Sequence, residues 1–393
     1  MPFGNEGLEE LTGLALSGGG FRATLFHLGA FWRLNELGYL PKLDRISSVS
    51  GGSILSGLLA VRWSRLGFAS DIAMQFADQI VRPLRDFCAR LVDAPAVGEG
   101  ALLPWRDVSE VIEREYRDHL FGVATLQDLP DRPRFIFNST NFMTGVDFRF
   151  SKPYAGDYRV GKIPNPTFPV ALAVTASSAF PPVLSPVARK VDPASYERWD
   201  GADLYDRIEY RKRLFLTDGG AYDNLGLETL EKRCKTLLVS DAGAPFVPDS
   251  DPGSAWHTQT LRAFDIATAQ SRGLRKRRLI TDYQTTPVVR RGAYWGIMTE
   301  ITGYQLPDAL PVPVEATQYL ASIRTRLNSF SEAEQCRLIN GGYALCDAAM
   351  RKYVITGGLG RPAQWPYPNY SLDKPISDAD KAADAAGVTP EAP

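Results

Sequence analysis

A run of small residues around Ser50 places one hydroxyl where nucleophilic chemistry is possible. The stretch reads SVSGGS, after an apolar segment typical of a strand and before an apolar segment with helical spacing. A serine at a sharp strand-to-helix turn, with small neighbours that let the turn close, is the layout of a nucleophile elbow, G-x-S-x-G. Here Ser48 replaces the first glycine, and Gly52 is the second. Taken alone, the motif also fits a tight strand-helix junction without catalytic function.

Three glycines, Gly18, Gly19 and Gly20, separate a short apolar run from a second predicted helix in SGGGFRA. Backbone N–H groups at such a helix N-terminus have no side chains in front of them and bind anions, either a phosphate or the oxyanion of an attacked carbonyl. The segment also fits the dinucleotide pattern G-x-G-x-x-A, but the next strand delivers Ser50 instead of an acidic residue, and the G-K-[ST] of a P-loop is missing. The oxyanion interpretation is favoured. A nucleotide or phosphate binder is the non-enzymatic alternative.

Asp218 follows a predicted strand and precedes Gly219 and Gly220 in LTDGGAYDNLG. A strand-end aspartate serves as a general base, a metal ligand or a turn former. Because no cluster of histidine, cysteine or acidic residues at ligand spacing accompanies it, the sequence predicts neither metal nor cofactor. Asp223 and Asp241 are reserve candidates without the D-G-G context.

Three histidines limit the choice of base for a serine nucleophile. Only His257 follows Asp218, in the order nucleophile, acid, histidine of an α/β-hydrolase triad. His27 lies in the helix after the glycine loop, and His119 lies at the end of an amphipathic helix. None of the three lies at a glycine-flanked strand end. The alternatives are a triad esterase using His257 and a dyad in which a carboxylate takes the serine proton directly.

Two strand-turn-helix units within the first seventy residues predict an α/β fold with a largely parallel sheet. Later strands are predicted at 134–140, 213–220 and 236–243. Ligands of open α/β sheets bind beyond the carboxyl ends of the strands. We therefore expect one edge of the sheet to collect Ser17, Ser50, Asp218 and Asp241.

Residues 1–356 are predicted to form a single domain, with the motifs in 14–241 and a helical, basic part in 242–356. The proline- and alanine-rich tail 357–393 is expected to be disordered at its end. Residues 68–133 are expected to form packing helices or a cap over the site, with Ser109 capping one of them. The segment 183–212 lacks periodicity and is predicted to be a long surface loop, a candidate lid.

Net charge is −1, from 44 basic and 45 acidic residues, so no overall field attracts nucleic acid or an anionic membrane. Four cysteines without C-x-x-C pairing and an acidic N-terminus predict a cytoplasmic protein. No apolar stretch approaches the ~20 residues that span a bilayer. Five cations between Arg272 and Arg278 form a basic cluster that either contacts membrane head groups or is a solvated helix face.

In this order the three motifs resemble those of the patatin-like phospholipases, which combine a G-G-G-x-R loop, a G-x-S-x-G nucleophile and a D-G-[AG] aspartate. The stretch ALAVTASSAFPPVLSP at 171–186 and YDNLG after the D-G-G are also similar.

The resemblance implies a patatin-like three-layer α/β/α fold with a nucleophile elbow, and a lipid acyl hydrolase of phospholipase A type. It implies that Ser50 attacks the ester and Asp218 accepts its proton, while amides of Gly18, Gly19 and Gly20 hold the oxyanion. Supporting positions are Arg22, Gly52, Gly219 and Gly220. The implied substrate is a phospholipid or another lipid ester, with no cofactor and no nucleic acid.

Overall fold

The computed structural model describes residues 7–92, 106–182, 184–355, 362–374, 376, 378, 381 and 382. The strands are β1 (Glu9–Leu16), β2 (Arg45–Ser48), β3 (Phe68–Ala69), β4 (Ile72–Ala73), β5 (Arg134–Asn141), β6 (Val146–Ser151), β7 (Tyr154–Asp157), β8 (Gly161–Pro164), β9 (Val187–Lys190), β10 (Arg213–Asp218), β11 (Cys234–Asp241) and β12 (Arg291–Gly296). The α-helices are α1 (Gly20–Glu36), α2 (Gly51–Arg62), α3 (Arg82–Cys88), α4 (Arg106–Tyr116), α5 (Val170–Ser178), α6 (Gly220–Asp223), α7 (Glu228–Glu231), α8 (Trp256–Gln284), α9 (Val314–Ser322) and α10 (Glu332–Tyr353).

Alternating side chains of the central strands bury two faces of the sheet. In β1, Leu14 and Leu16 join the large core, whereas Ala15 between them joins a smaller one. The smaller core includes Leu230 from α7 and Leu279 from α8. Because successive residues of a strand point to opposite faces, this alternation places helices on both sides of the sheet. The three-layer α/β/α arrangement predicted from the sequence is confirmed.

The central strands run parallel, in the order β12-β11-β1-β2-β5. Beyond β5, the strands β6, β7 and β8 continue the sheet in antiparallel pairs. The largely parallel centre matches the sequence prediction, and β12 is an edge strand that the prediction of a helical 242–356 did not include.

The direction of β10 differs from that of the parallel strands. It pairs antiparallel with the last residues of β5, where Asp218 faces Ser139, while β2 pairs parallel with the first half of β5 and ends where Ser48 faces Phe137. Since β6 occupies the other side of β5, β2 and β10 lie on the same side and approach each other end to end. The carboxyl ends of both strands therefore converge, although the strands run in opposite directions.

Helix α1 leads away from the glycine loop and packs closely against α10. A Cβ on Gly29 would overlap the carbonyl oxygen of Ile339, and one on Gly342 would overlap that of Phe26. The two glycines thus let the helix backbones touch. The buried pair between Arg33 and Asp347, at 2.8 Å, fixes their register.

Two details of the sequence prediction for the surrounding segments are wrong. Ser109 lies inside α4 and does not cap its start. The predicted surface loop 183–212 is not a loop throughout: among its described residues, 184–212, β9 pairs with β10, and Tyr196 of the remaining loop packs with Val160 in a small core.

The predicted tail 357–393 lies only partly within the described residues. Residues 362–374 pack on α10, where Asn340 donates to the carbonyl oxygens of Tyr367 and Tyr370, both at 2.8 Å. The end of the tail, from residue 383 onward, lies outside the described residues.

Candidate active site

Ser50 stands at the turn between β2 and α2, with φ 52° and ψ −120°. A positive φ is unusual for a residue with a Cβ, and such strained positions cluster at functional sites. Its neighbour Gly52 has the carbonyl oxygen of Leu16 2.8 Å from the place where a Cβ would stand. The strained turn and the close packing behind it give Ser50 the geometry of a nucleophile elbow.

Ser48, the departure from the glycine pattern, belongs to β2 and has a satisfied hydroxyl. Its Oγ lies 2.7 Å from Ser56 Oγ and accepts a hydrogen bond from Ser53 Oγ at 2.9 Å. The other small residues of the elbow therefore supply the partners that a buried hydroxyl needs. A serine fits this position without disturbing the turn.

Asp218 ends β10 beside the elbow, and its carboxylate interacts with the Ser50 side chain. The N–H of Gly220 donates to Asp218 Oδ1 at 2.6 Å. Burial raises the pKa of the Asp218 carboxyl to about 6, although the Gly220 hydrogen bond and the interaction with Ser50 each lower it in part. No cation among the described residues contributes to this pKa. A carboxylate without a counter-ion, buried next to a hydroxyl, has the proton affinity that a general base requires.

Ser177, from the end of α5, holds the two candidate catalytic residues together. Its carbonyl oxygen accepts hydrogen bonds from the N–H of Ser50 and the N–H of Gly219, both at 3.2 Å. Its hydroxyl donates to the carbonyl oxygen of Asn138 at 2.6 Å and lies 2.8 Å from Ser53 Oγ. The sequence singled out the surrounding ALAVTASSAFPPVLSP stretch but not this serine.

The glycine loop lies directly beside Ser50. The N–H of Gly18 donates to the carbonyl oxygen of Asn224 at 3.0 Å, so it is not available to a ligand. Gly19 and Gly20 adopt φ values of 143° and 55°, and no acceptor among the described residues pairs with their N–H groups. The unpaired amides of the loop are therefore those of Gly19 and Gly20.

Arg22 fixes this loop from behind. Its guanidinium is buried and donates to the carbonyl oxygens of Ala321, Ile323 and Ala242 at 2.8, 2.7 and 2.9 Å. Burial and the nearby Arg272 lower the pKa of Arg22 to about 10, so it remains charged. These contacts give Arg22 a structural position.

Asn224 was not singled out by the sequence, yet it lies between the loops of the site. Its Oδ1 is 2.5 Å from the point where a Cβ on Gly18 would stand, and Ser50 Cβ is 3.0 Å from the same point. A Cβ on Gly220 would stand 2.7 Å from Asn224 Oδ1 and 2.9 Å from Asp218 Oδ1. Within the described part of the chain, the side-chain amide of Asn224 makes no hydrogen bond.

No hydrogen bond joins a histidine of the described residues to Ser50 or Asp218. His27 is fully buried, with Nδ1 2.7 Å from Ser240 Oγ and Nε2 3.0 Å from the carbonyl oxygen of Ser17, and burial lowers its pKa to about 4. His257 is exposed at the start of α8, where its ring packs on Trp256. His119 lies 3.4 Å from Glu115.

The reserve aspartates have other partners. Asp223 accepts hydrogen bonds from the N–H groups of Leu225, Leu227 and Glu228, so it closes the turn after α6. Asp241 accepts from the N–H of Gly243 at 2.9 Å and the hydroxyl of Tyr294 at 2.8 Å, and Arg272 Nε lies 3.8 Å away.

Most of the basic cluster from Arg272 to Arg278 lies against the protein, and Arg278 acts electrostatically on Glu231. Arg272 donates to the carbonyl oxygen of Ala244 at 2.8 Å, and Arg275 Nη2 lies 3.3 Å from Glu228. Lys276 Nζ stacks on the ring of Tyr294 at 4.4 Å. These three cations attach α8 to the body of the protein, whereas Arg277 is exposed.

Comparisons with known proteins show the family of this chain. The model of the patatin-like phospholipase family matches residues 14–230, more than half of the chain. No protein of curated function matches the sequence. The structure of human GIVD cytosolic phospholipase A2 is similar at 13% identity and a TM-score of 0.48, over 88% of this chain and 62% of that one, so this chain spans less than two thirds of it. VipD from Legionella pneumophila is similar at 15% identity and a TM-score of 0.38, over 88% of this chain and 68% of VipD. The chain belongs to the patatin-like phospholipase family.

Proposed function

We propose that this protein is a lipid acyl hydrolase that cleaves carboxylic ester bonds with a dyad of Ser50 and Asp218. The observation that carries the proposal is the position of the strained Ser50 next to Asp218, a buried aspartate whose pKa is raised to about 6. A phospholipase A-type reaction on a phospholipid or a related lipid ester fits the family.

In the first half of the reaction, Ser50 Oγ attacks the ester carbonyl carbon while its proton moves to Asp218. The carbonyl oxygen gains negative charge, and the N–H groups of Gly19 and Gly20 donate to it. When the tetrahedral intermediate collapses, Asp218 returns the proton to the departing alcohol oxygen, which leaves an acyl group on Ser50.

In the second half, water attacks the acyl group and gives its proton to Asp218. The intermediate then releases the fatty acid, and the proton on Asp218 restores the Ser50 hydroxyl. Ser177 acts on neither step directly. It keeps Ser50 and the Asp218 turn in register through its carbonyl oxygen.

Labelling with a fluorophosphonate tests this proposal. The wild-type protein should be modified at Ser50 alone, Ser50→Ala should not be labelled, and Asp218→Asn should be labelled far more slowly. His257→Ala is the matched control, because a triad esterase would lose turnover of a chromogenic ester in that variant and a dyad would not. Labelling elsewhere than at Ser50, or none in folded protein, would refute the proposal; nucleotide binding in that case would favour the phosphate binder.

We also propose that the protein meets its substrate as a peripheral, cytoplasmic protein. No helix among the described residues is long and apolar enough to cross a bilayer. Trp256 and Leu274 of α8 are 80% and 59% exposed, lie a whole number of helical turns apart, and share their face with the exposed Arg277. An indole, an apolar side chain and a cation on one face suit the head-group region of an anionic bilayer.

Sedimentation with phosphatidylglycerol vesicles should be weakened in the double variant Trp256→Ala, Arg277→Gln. Unchanged sedimentation of that variant would contradict this contact.

A further inference from the structure

Three cations share one carboxylate next to the glycine loop. Arg272 Nε lies 3.8 Å from Asp241 Oδ2, and Arg22 and Lys276 both lie within the electrostatic reach of Asp241 and Arg272. This Asp241 cluster, made of Arg22, Arg272, Lys276 and Asp241, has an excess of positive charge. An excess of this kind, partly shielded from water, attracts an anion.

Arg272 is the cation of this cluster with both exposed surface and N–H groups left for a ligand. Arg22 is buried, and three carbonyl oxygens occupy its guanidinium. Lys276 covers the ring of Tyr294. The Arg272 side chain is 22% exposed, and the N–H groups not used by Ala244 remain for a further acceptor.

Asn224 connects Arg272 to the catalytic residues. A Cβ on Gly243 would overlap Arg272 Nη1 and stand 2.9 Å from Asn224 Nδ2, so both nitrogen atoms lie against Gly243. The other end of the same amide, Oδ1, lies beside Gly18, Ser50 and Gly220. Arg272 and Asn224 therefore lie side by side at the edge of the site, and the Asn224 amide makes no hydrogen bond among the described residues.

We propose that Arg272 and Asn224 form a subsite for the phosphate of the substrate, and so make the enzyme selective for phosphate-bearing esters over neutral ones. A guanidinium binds phosphate oxygens with two parallel hydrogen bonds, and an amide N–H adds a third donor. In this arrangement the arginine of the G-G-G-x-R loop holds the loop, and an arginine of α8 meets the ligand. The inference rests on the proposed function, since it concerns the substrate of the Ser50 site.

The experiment compares two short-chain esters that differ only in the phosphate group, a phosphatidic acid and the matching diacylglycerol, both below their aggregation concentrations. Arg272→Gln should lower the ratio of kcat/KM for the phospholipid to kcat/KM for the diacylglycerol by about tenfold or more, chiefly through KM. Asn224→Ala should lower the same ratio by a smaller factor, and Arg272→Lys should restore part of the loss because it keeps the charge. Arg291→Gln, an exposed cation at the first residue of β12, the end of the strand away from Asp241, is the matched control and should leave the ratio at its wild-type value.

Inorganic phosphate separates a head-group site from a general anion site. If the subsite takes phosphate itself, phosphate should inhibit the wild-type protein competitively with the phospholipid and inhibit Arg272→Gln less. If phosphate does not compete while the ratio still falls in Arg272→Gln, the subsite recognises the phosphate only as part of the lipid.

The outcomes also distinguish failure of this inference from failure of the proposed function. An equal loss on both esters in Arg272→Gln, or no loss on either, would overturn the subsite while Ser50 labelling and wild-type turnover stand. If the folded wild-type protein hydrolyses neither ester and is not labelled at Ser50, the proposed function fails first. Thermal unfolding of each variant identifies those that lose activity because they lose their fold.

Discussion

Two aspartates end strands at this edge of the sheet, and their surroundings give them opposite properties. Asp218 ends β10 and precedes Gly219, whereas Asp241 ends β11 and precedes Ala242. Both are buried and both accept a hydrogen bond from a main-chain N–H two residues further on. The difference lies in the charges nearby: no cation contributes to the pKa of Asp218, whereas Arg272 lies beside Asp241 with Arg22 and Lys276 in reach.

The same residue type is thus placed to act as a base at the end of β10 and as a counter-ion at the end of β11. Burial without a compensating charge favours the protonated form of a carboxyl, which makes Asp218 able to take a proton from Ser50. Asp241, with Arg272 beside it, is instead placed to pair with cations. Sequence motifs of the form D-x-G mark both positions, so the motif alone does not separate the two roles.

The largest expected difference between substitutions of the two aspartates is in catalytic activity. Asp218→Asn should lower kcat on a neutral soluble ester by about 10³–10⁴-fold, because an amide cannot accept the Ser50 proton. Asp241→Asn should lower it by less than about tenfold, because its partners can shift without changing the dyad. Single-turnover kinetics of the two variants measures both. A loss in Asp241→Asn comparable to that in Asp218→Asn would mean that Asp241 takes part in the proton transfer.

The free energy of unfolding should change in opposite directions in Asp218→Asn and in Asp241→Asn. The folded-state pKa of Asp218, about 6, exceeds the ordinary value of 3.8. The folded protein thus binds more protons than the unfolded chain between these values, and stability falls as pH rises through this window. Above about pH 6 the full penalty is present, so Asp218→Asn should raise the free energy of unfolding at pH 8 by about 1–3 kcal/mol.

Asp241→Asn should instead lower the free energy of unfolding at pH 8. The substitution leaves the three cations around it without their shared carboxylate, which is unfavourable for buried charges. Urea unfolding of both variants and the wild type, at pH 8 and at pH 4, provides the measurement. At pH 4 the gain in Asp218→Asn should be largely gone; a gain that persists there would show that the raised pKa is not its cause.

The elbow and the glycine loop were predictable from the sequence because their signals are local. An apolar run, two glycines and a helical pattern lie next to each other along the chain around Ser50, and the same holds at Gly18. The direction of β10 was not predictable in this way. A strand of six residues has no local mark of parallel or antiparallel pairing, and the end-to-end approach to β2 is set by how both strands share β5.

The residues that complete the site were missed for a related reason. Ser177 acts on Ser50 from 127 positions further along the chain, and a lone serine or asparagine has no spacing that marks it. The contacts of the basic cluster with the protein were not predictable because its partners are remote in sequence. In the fold, Asp223, Glu228 and Asp241 lie on the same side of α8, where they pair with cations of the cluster.

The pH profile of kcat/KM should depend on Asp218 and not on Asp241. With a base whose pKa is about 6, kcat/KM on a neutral ester should fall about tenfold per pH unit well below pH 6 and level off above about pH 7. Asp241→Asn should keep the midpoint of the wild-type profile, because Asp241 is not among the groups that shift the pKa of Asp218. Product should be quantified by chromatography from pH 4.5 to 8.5. A midpoint displaced by a full pH unit in Asp241→Asn would indicate that the two carboxylates are coupled.

The smallest expected effect comes from Tyr294→Phe, which removes one hydrogen bond from Asp241 and leaves the dyad unaltered. The Tyr294 hydroxyl donates to Asp241 Oδ2 at 2.8 Å, and its loss should lower the free energy of unfolding by about 1–2 kcal/mol. Turnover of a neutral soluble ester and the midpoint of its pH profile should stay within about twofold and a few tenths of a pH unit of wild type, since Asp241 retains Arg272 and the Gly243 N–H. Chemical unfolding and the pH profile are measured on the same preparation. If turnover falls more than tenfold while the fold is retained, Asp241 is not merely a counter-ion, and the distinction between the two strand ends has to be abandoned.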